Sequence, residues 1–392
     1  MLSVAPPPAQ LFAGLDWAAG IHAVCVVDHA GKIADRFTIE HSADGIAMLI
    51  GRLARLAEAA DVHVGIERPN GRLVDLLLEA GHPVVPVSPN AIETWRDGEV
   101  LSGAKSDAGD AAIIAEYLRL RRHRLRVAVP YCDDTRALRT VVRTRTDLVE
   151  MRVAATNQLA ALLEDQFLTR YPTPAAARHV GGKRMQAFMT KHGYSGRRSA
   201  ADLLERLRSA PAGATGQALT EALRDAVLSL VTVLRALNTA VKDLDRSTAA
   251  HLGEHPDGQI VTSLPRSGQS NAAQILAECG DCRQAYATPD SVAALAGCTP
   301  VTKQSGKHRA VHFRWACNKR FRLALTTFAD NSRHASPWAA HIYNQARKKG
   351  KDHPHAIARA WIRVIWHCWL DGVPYDPAQH GAAAKLNKQV AA

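Results

Sequence analysis

The chain has 392 residues, too many for one compact core, which indicates two or three domains. With 47% hydrophobic and 22% charged residues, its composition is typical of a soluble globular protein. The formal net charge of +12 lies in clusters of arginine and lysine, which indicates a polyanionic partner, nucleic acid before an anionic membrane. No apolar run approaches the roughly 20 residues of a membrane span, which argues against a membrane protein.

Residues 1–12 are rich in proline and lack both the basic and the apolar segment of a secretion signal. We therefore expect a flexible tail there and a cytoplasmic protein. The seven cysteines are scattered, so free thiols are expected. Cys279 and Cys282 have the spacing of metal ligands, but no second pair of this kind follows, which leaves zinc as a weak alternative.

The sequence predicts an α/β domain over residues 13–128. Short strands with tight connections at 11–18, 21–28 and 32–40 are expected to form an antiparallel meander. Helices at 42–60 and 72–80 then alternate with strands at 62–67 and 83–87. After a loop through Trp95 and Asp97, a last helix begins at Ser106 or Asp107. The resulting order, βββαβαβα, predicts a ribonuclease-H-like fold.

Four acidic residues are predicted to meet at one edge of this sheet. Strand one supplies Asp16, strand four ends at Glu67, and Asp107 and Asp110 lie one turn apart at the start of the last helix. Carboxylates gathered in this way repel each other unless a cation lies among them, and oxygen ligands suit Mg²⁺ or Mn²⁺. We expect a catalytic divalent-metal site; alternatively, Asp107 and Asp110 only complement the helix dipole.

The middle region, residues 129–255, is predicted to be helical. An arginine-studded helix over 133–167 is followed by an insertion at about 170–216, either irregular or a small helical subdomain. Apolar residues from Leu223 to Leu244 then recur at alternating spacings of four and three, which predicts a coiled-coil seam. This seam pairs either with the arginine-studded helix of the same chain or with a second chain. The sequence does not distinguish between these two arrangements.

The last region, residues 256–392, is predicted to be mostly α-helical. Pro265-Arg266-Ser267-Gly268 forms the turn of a helix-hairpin-helix-like pattern, in which backbone amides and the next helix hold a phosphate. Ser305 lies in a predicted loop and is a candidate nucleophile, because nearby cations would hold a phosphodiester. The candidate nucleic-acid contacts are Lys105, Lys303, Lys307, Arg309, Arg314, Arg320 and Arg322.

An ordered set of motifs resembles the DEDD transposases of insertion-sequence family 110. These are Gly14-Leu15-Asp16, Gly65-Ile66-Glu67, Lys105 to Ala111, Leu264 to Gly268, Ser305-Gly306 and Asn318 to Arg322. The resemblance implies a RuvC-like domain joined through a coiled coil to a serine transposase domain. It also implies that Asp16, Glu67, Asp107 and Asp110 bind Mg²⁺ and that Ser305 forms a covalent phosphoserine with DNA.

The resemblance further implies a structured guide RNA that pairs with double-stranded donor and target DNA, in a bacterial, nucleoid-associated protein. Because serine and acids lie in different domains, a homodimer or homotetramer with composite sites is expected. One departure concerns the hairpin turn, where Arg266 and Ser267 replace a glycine and its neighbour, and Ser267 becomes a minor rival nucleophile. The alternatives are a RuvC-like nuclease that uses metal-activated water and a non-catalytic scaffold for RNA or DNA.

Overall fold

The computed structural model describes residues 10–18, 20–67, 71–99, 106–158, 165–194, 198–209, 217–306, 308–350 and 353–382. The chain divides into two compact units, Met1–Pro130 and Tyr131–Ala392. The first unit contains the mixed α/β fold, and the predicted domain bounds, 13–128, stay a prediction. The predicted middle and last regions together make up the second unit.

The first unit is built on a five-stranded mixed sheet with the order β3-β2-β1-β4-β5. Strands β1 to β3 form the predicted antiparallel meander, and β4 and β5 continue the sheet in parallel with β1. This arrangement follows from the short connections between the first three strands and the helical crossovers before the last two. The strands are β1 (Leu11–Asp16), β2 (Ile21–Val27), β3 (Ile33–Glu40), β4 (Val62–Ile66) and β5 (Val84–Pro86).

Four α-helices of this unit lie within the described residues: α1 (Ala43–Ala54), α2 (Arg72–Glu79), α3 (Pro89–Glu99) and α4 (Asp107–Arg121). The prediction of a loop through Trp95 and Asp97 is wrong, because both residues lie in α3. Ile92 is the one fully buried residue of this mostly polar helix, so its apolar pattern is too weak to indicate a helix. The Trp95 ring packs edge-on against Tyr117 of α4, with 5.7 Å between the ring centroids.

The second unit begins with α5 (Asp133–Gln158) and contains a longer helix, α10 (Gln217–Glu254). These helices pack antiparallel: the Thr135 hydroxyl lies 2.8 Å from His255, and Arg145 forms a salt bridge with Asp245. Of the two arrangements that the sequence left open, the helix pair within one chain is present. A coiled coil between chains stays a prediction.

The insertion contains a small helical subdomain, one of the two forms that the sequence allowed. Its core consists of side chains that pack together independently of the main core, at Phe167, Ala177, Val180, Met185, Ala200, Leu203 and Leu204. The helices are α6 (Asp165–Arg170), α7 (Pro174–Ala177), α8 (Gly182–Lys191) and α9 (Ala200–Ser209).

The last part of the chain is mostly helical, as predicted, and it packs around the fully buried Trp361. Its elements are α11 (Gly258–Thr262), α12 (Gln269–Cys279), α13 (Pro289–Leu295), β6 (Val301–Ser305), β7 (His308–His312), α14 (Lys319–Ser332), α15 (Pro337–Lys348) and α16 (His353–Asp371). Ser305 was predicted to lie in a loop, which is wrong, because β6 and β7 form an antiparallel hairpin. Among the described helices, none is long and apolar enough to cross a membrane.

Candidate functional site

Two glycines that pair across β1 and β4 set the position of α4. Gly14 lies beside Gly65 in the parallel register. A Cβ atom on Gly14 would stand 2.0 Å from the Ala111 carbonyl oxygen, and one on Gly65 would stand 3.0 Å from Ile114. The absence of side chains at both positions therefore lets the backbone of α4 lie directly on the strands.

The direction of α4 brings its first turn to the carboxyl ends of these strands. Near the end of α4, the Arg119 guanidinium donates to the His29 carbonyl, in the turn after β2. That turn lies beside the start of β1, because Phe12 pairs with Val27. The opposite end of α4, which carries Asp107 and Asp110, therefore lies toward the end of β1, where Asp16 stands.

The structure places all four predicted acids at this edge, in different surroundings. Asp16 and Glu67 are half-buried neighbours, because the residues before them, Leu15 and Ile66, pair in register. Asp107 is exposed on the first turn of α4. Asp110 is 7% exposed and forms a salt bridge of 2.9 Å with Arg96 of α3. Sequence reasoning missed Arg96, because its helix was not predicted.

The donor chemistry of this edge suits a hard divalent cation, since all four predicted ligands are carboxylates. In the arrangement seen here, however, no three His, Cys, Asp or Glu side chains of the described ranges come close enough to hold a metal ion. The Arg96 guanidinium already neutralises Asp110. Metal binding by Asp16, Glu67, Asp107 and Asp110 therefore stays a prediction, and Lys105 lies outside the described residues.

A histidine pair fixes the backbone that follows Asp16. The Ala18 amide donates to His22 Nδ1 at 3.1 Å, and His22 Nε2 lies 2.7 Å from His41 Nδ1. Since His22 Nδ1 is an acceptor, the neutral ring carries its proton on Nε2 and donates it to His41. Burial, with the charge of His41 second, lowers the pKa of His22 and so favours this neutral form. No motif in the sequence marked this pair.

Ser305 is the last residue of β6 and lies exposed beside the hairpin turn, where Gly306 adopts φ +55°. It pairs with His308 across the turn. Because side chains alternate between the faces of a hairpin, Lys303 shares the face of Ser305 and His308, whereas Arg309 lies on the other face. Lys303 and Arg309 are both exposed, and Lys307 lies outside the described residues.

The other predicted contacts make interactions within the second unit. Arg314 donates to the Thr299 carbonyl at 3.1 Å, and the Arg322 guanidinium lies 4.9 Å from the centre of the Phe313 ring. Both arginines therefore brace the base of the Ser305 hairpin. Arg320 forms a salt bridge of 2.6 Å with Asp147 of α5. Arg314 and Arg322 therefore lie beside the base of the hairpin, whereas the charge of Arg320 is paired with Asp147.

A buried carboxylate orients the start of α14, which follows the hairpin. Glu278 accepts hydrogen bonds from Arg143 at 2.7 Å and from the Asn318 amide at 2.8 Å, and Asn318 also caps α14 by accepting from the Phe321 amide. Burial alone would raise the pKa of Glu278, but the hydrogen bonds from Arg143 and Asn318 outweigh it and hold the pKa below its ordinary value. Sequence reasoning missed this network, whose members lie on three separate helices.

The predicted helix-hairpin-helix-like turn lies between α11 and α12. Arg266 adopts φ +58°, the only positive φ of a non-glycine residue in the described ranges. Ser267 is 5% exposed, and its amide donates to the Leu264 carbonyl. A buried hydroxyl is poorly placed to attack DNA, so the exposed Ser305 is favoured over Ser267 as a nucleophile.

Comparisons with known proteins agree with the resemblance. Residues 13–168 match the DEDD IS110 family model, described as "Transposase", and residues 258–344 match the model described as "Transposase IS116/IS110/IS902 family". The chain is 28% identical over 388 residues to the IS117 mini-circle protein of Streptomyces coelicolor, covering 91% of this chain and 93% of the relative.

Two further relatives extend the comparison. The chain is 29% identical over 401 residues to the 42 kDa protein of insertion element IS900 from Mycobacterium paratuberculosis, covering 95% of this chain and 99% of the relative. It is 30% identical over 297 residues to the 43.6 kDa protein of insertion element IS110 from Streptomyces coelicolor, covering 70% of this chain and 72% of the relative. These relatives match the chain across both structural units.

Proposed function

Because this chain belongs to the IS116/IS110/IS902 family and is an insertion-sequence transposase, we propose that it exchanges DNA strands through a covalent phosphoserine at Ser305. The observation that carries this proposal is the place of Ser305, exposed beside the turn of a cationic hairpin. A nucleophile for a large polymer needs this accessibility. Lys303, on the same face of the hairpin as Ser305, supplies positive charge for the phosphate under attack.

In the proposed step, Ser305 Oγ forms a bond to phosphorus while the bond from phosphorus to one deoxyribose oxygen breaks. His308 pairs with Ser305 in the hairpin register, so its imidazole is placed to accept the Oγ proton. The leaving deoxyribose oxygen takes up a proton from water. Attack on the phosphoserine by the hydroxyl of another strand end reverses these bond changes, so rejoining needs no external energy source.

The acids of the first unit have a separate role in this proposal. Asp16, Glu67, Asp107 and Asp110 would hold Mg²⁺ or Mn²⁺, which when bound polarises a phosphate and stabilises charge on the leaving oxygen. Breaking the salt bridge between Asp110 and Arg96 would free the Asp110 carboxylate to bind the metal ion. The support is the register that puts Asp16 beside Glu67, the position of Asp107 and Asp110 on the first turn of α4, and the DEDD family match.

We further propose that a structured guide RNA selects donor and target double-stranded DNA by base pairing. The formal charge of +12 supports contacts with nucleic-acid backbones, which carry no sequence information by themselves. A homodimer or homotetramer would allow one chain to supply Ser305 and another the acids. Sequencing the RNA that copurifies with the protein tests whether a guide RNA is bound. If no specific RNA copurifies, the guide RNA is removed from the proposal.

The experiment for the mechanism compares Ser305→Ala with Asp16→Asn, each with its copurified RNA, on supercoiled DNA that carries the ends of the element. Denaturing gels separate free DNA from DNA joined to protein. We expect the wild type to form a covalent adduct and Ser305→Ala to bind DNA without forming one. If Ser305→Ala still cuts while Asp16→Asn does not, the RuvC-like nuclease replaces the recombinase. If the wild type binds DNA and neither cuts nor joins it, a non-catalytic scaffold is favoured.

A further inference from the structure

Two aromatic side chains stand exposed at the base of the Ser305 hairpin. Phe313 and Trp315 lie between β7 and α14, with 44% and 75% of their surface exposed. Their rings meet edge-on, with 4.9 Å between the centroids. All seven tryptophans of the chain lie in described positions, and Trp315 alone among them is mostly exposed. A tryptophan that is this exposed buries too little surface to contribute much to folding.

The segment that carries these rings is anchored on both sides. Between them, Arg314 turns inward and donates to the Thr299 carbonyl at 3.1 Å. The Arg322 guanidinium covers the Phe313 ring at 4.9 Å, and His355 of α16 packs edge-on against the same ring at 5.6 Å. Phe313 is therefore held in place and supports Trp315 from the side, so a base that stacks on Trp315 loses less conformational entropy than on an unsupported ring.

The charge around the pair selects the class of ligand. Arg314 and Arg322 adjoin the rings, and the hairpin itself carries the exposed Lys303 and Arg309. Aromatic rings beside guanidinium groups are the surface that binds single-stranded nucleic acid, in which bases expose their faces and phosphates stay within reach of the cations. Paired bases in a duplex do not offer these faces to an edge-on aromatic pair.

We propose that Phe313 and Trp315 form a stacking surface for unpaired DNA bases next to the strand that Ser305 attacks. Trp315 offers the more exposed ring, and Phe313 supports it from the side. The choice of DNA over RNA rests on the proposed function, since the hairpin that carries the nucleophile leads directly into this surface. The surface would hold a strand opened near the cut, so that it does not re-pair before exchange.

The test measures binding of fluorescent 20-nucleotide single-stranded DNA, the matching duplex and RNA of the same sequence by anisotropy at fixed salt. All proteins carry Ser305→Ala, so binding is read without cleavage. Trp315→Ala should weaken single-stranded DNA binding about 10-fold, the size expected for one stacked base, and change duplex binding less than about 2-fold. Trp315→Phe should restore most of the affinity. The control is Leu370→Ala, an exposed apolar residue at the opposite end of α16 from His355, which contacts Phe313.

Several results would overturn this proposal. Unchanged binding by Trp315→Ala, or an equal loss for duplex and single strand, would show that no base stacks there. A loss confined to RNA would assign the surface to RNA, and a loss of self-association in sedimentation would assign it to a second copy of the chain. Because none of these measurements needs an adduct, failure of the phosphoserine mechanism would appear separately, in the wild type.

Discussion

Arg266 adopts a backbone conformation that normally favours glycine. The turn between α11 and α12 is therefore strained at this residue. Its φ of +58° costs an L-residue about 1–2 kcal/mol. We predict that Arg266→Gly raises the free energy of unfolding by about 1 kcal/mol, measured by urea denaturation. Arg266→Ala is the matched control, since it removes the same side chain but keeps the strain. Equal stabilisation by both variants would contradict the explanation.

At this scale the sequence indicated candidate site residues, whose roles stay predictions, but it did not indicate the partners of buried carboxylates. A carboxylate such as Asp16 next to apolar strand residues stands out locally, because burying it unpaired is costly. The Arg96 partner of Asp110 and the Arg143 partner of Glu278 lie far away in sequence or on an unpredicted helix. Only the folded chain brings them together, so no local pattern indicated them.

At the scale of elements, the contact of α4 with the sheet depends on Gly14. We predict that Gly14→Ala lowers the free energy of unfolding by about 3 kcal/mol, because the added methyl would overlap the Ala111 carbonyl and push the helix outward. The same shift would move Asp110. Thermal denaturation measures the effect, with Gly20→Ala as the control, since a Cβ on Gly20 meets nothing within 4 Å. Similar losses of stability in Gly14→Ala and Gly20→Ala would contradict the role of the contact between Gly14 and α4.

The Glu278 network joins α5, α12 and α14. We predict that Glu278→Ala lowers the free energy of unfolding by about 2–3 kcal/mol, because it removes charged hydrogen bonds and leaves Arg143 partly buried without its partner. The control is Asp243→Ala, which removes an exposed pair with Arg246 on α10 and should change little. Urea denaturation compares the two. A small effect at Glu278 would mean that packing alone holds these helices together.

The Ser305 hairpin shows why some elements escaped prediction. Its strands are largely exposed and polar, with burial patterns that give no apolar alternation. A pattern-based prediction finds strands through their buried face, so it assigned this segment to a loop. The buried strands β1, β2 and β4, by contrast, are strongly apolar, and all three were predicted within about two residues.

For the whole molecule, four buried histidines and the half-buried His380 predict how stability depends on pH. Burial is the main cause that lowers the pKa of His22, His63, His82, His255 and His380. As pH falls through about 6.5, the unfolded chain binds protons that these folded histidines do not. The free energy of unfolding should therefore fall between pH 7.5 and 5.5. Denaturant midpoints across this range measure it, and constant or rising stability would contradict the prediction.

The central claim is that Ser305 becomes joined to DNA, and mass spectrometry of the trapped adduct tests it most directly. The wild-type protein, together with its copurified RNA, is incubated with element-end DNA and Mg²⁺, denatured, and digested with nuclease and protease. We predict a nucleotide remnant on the peptide that contains Ser305 and none in Ser305→Ala. A remnant on the peptide that contains Ser267, or cleaved DNA with no nucleotide on any serine, would contradict the account.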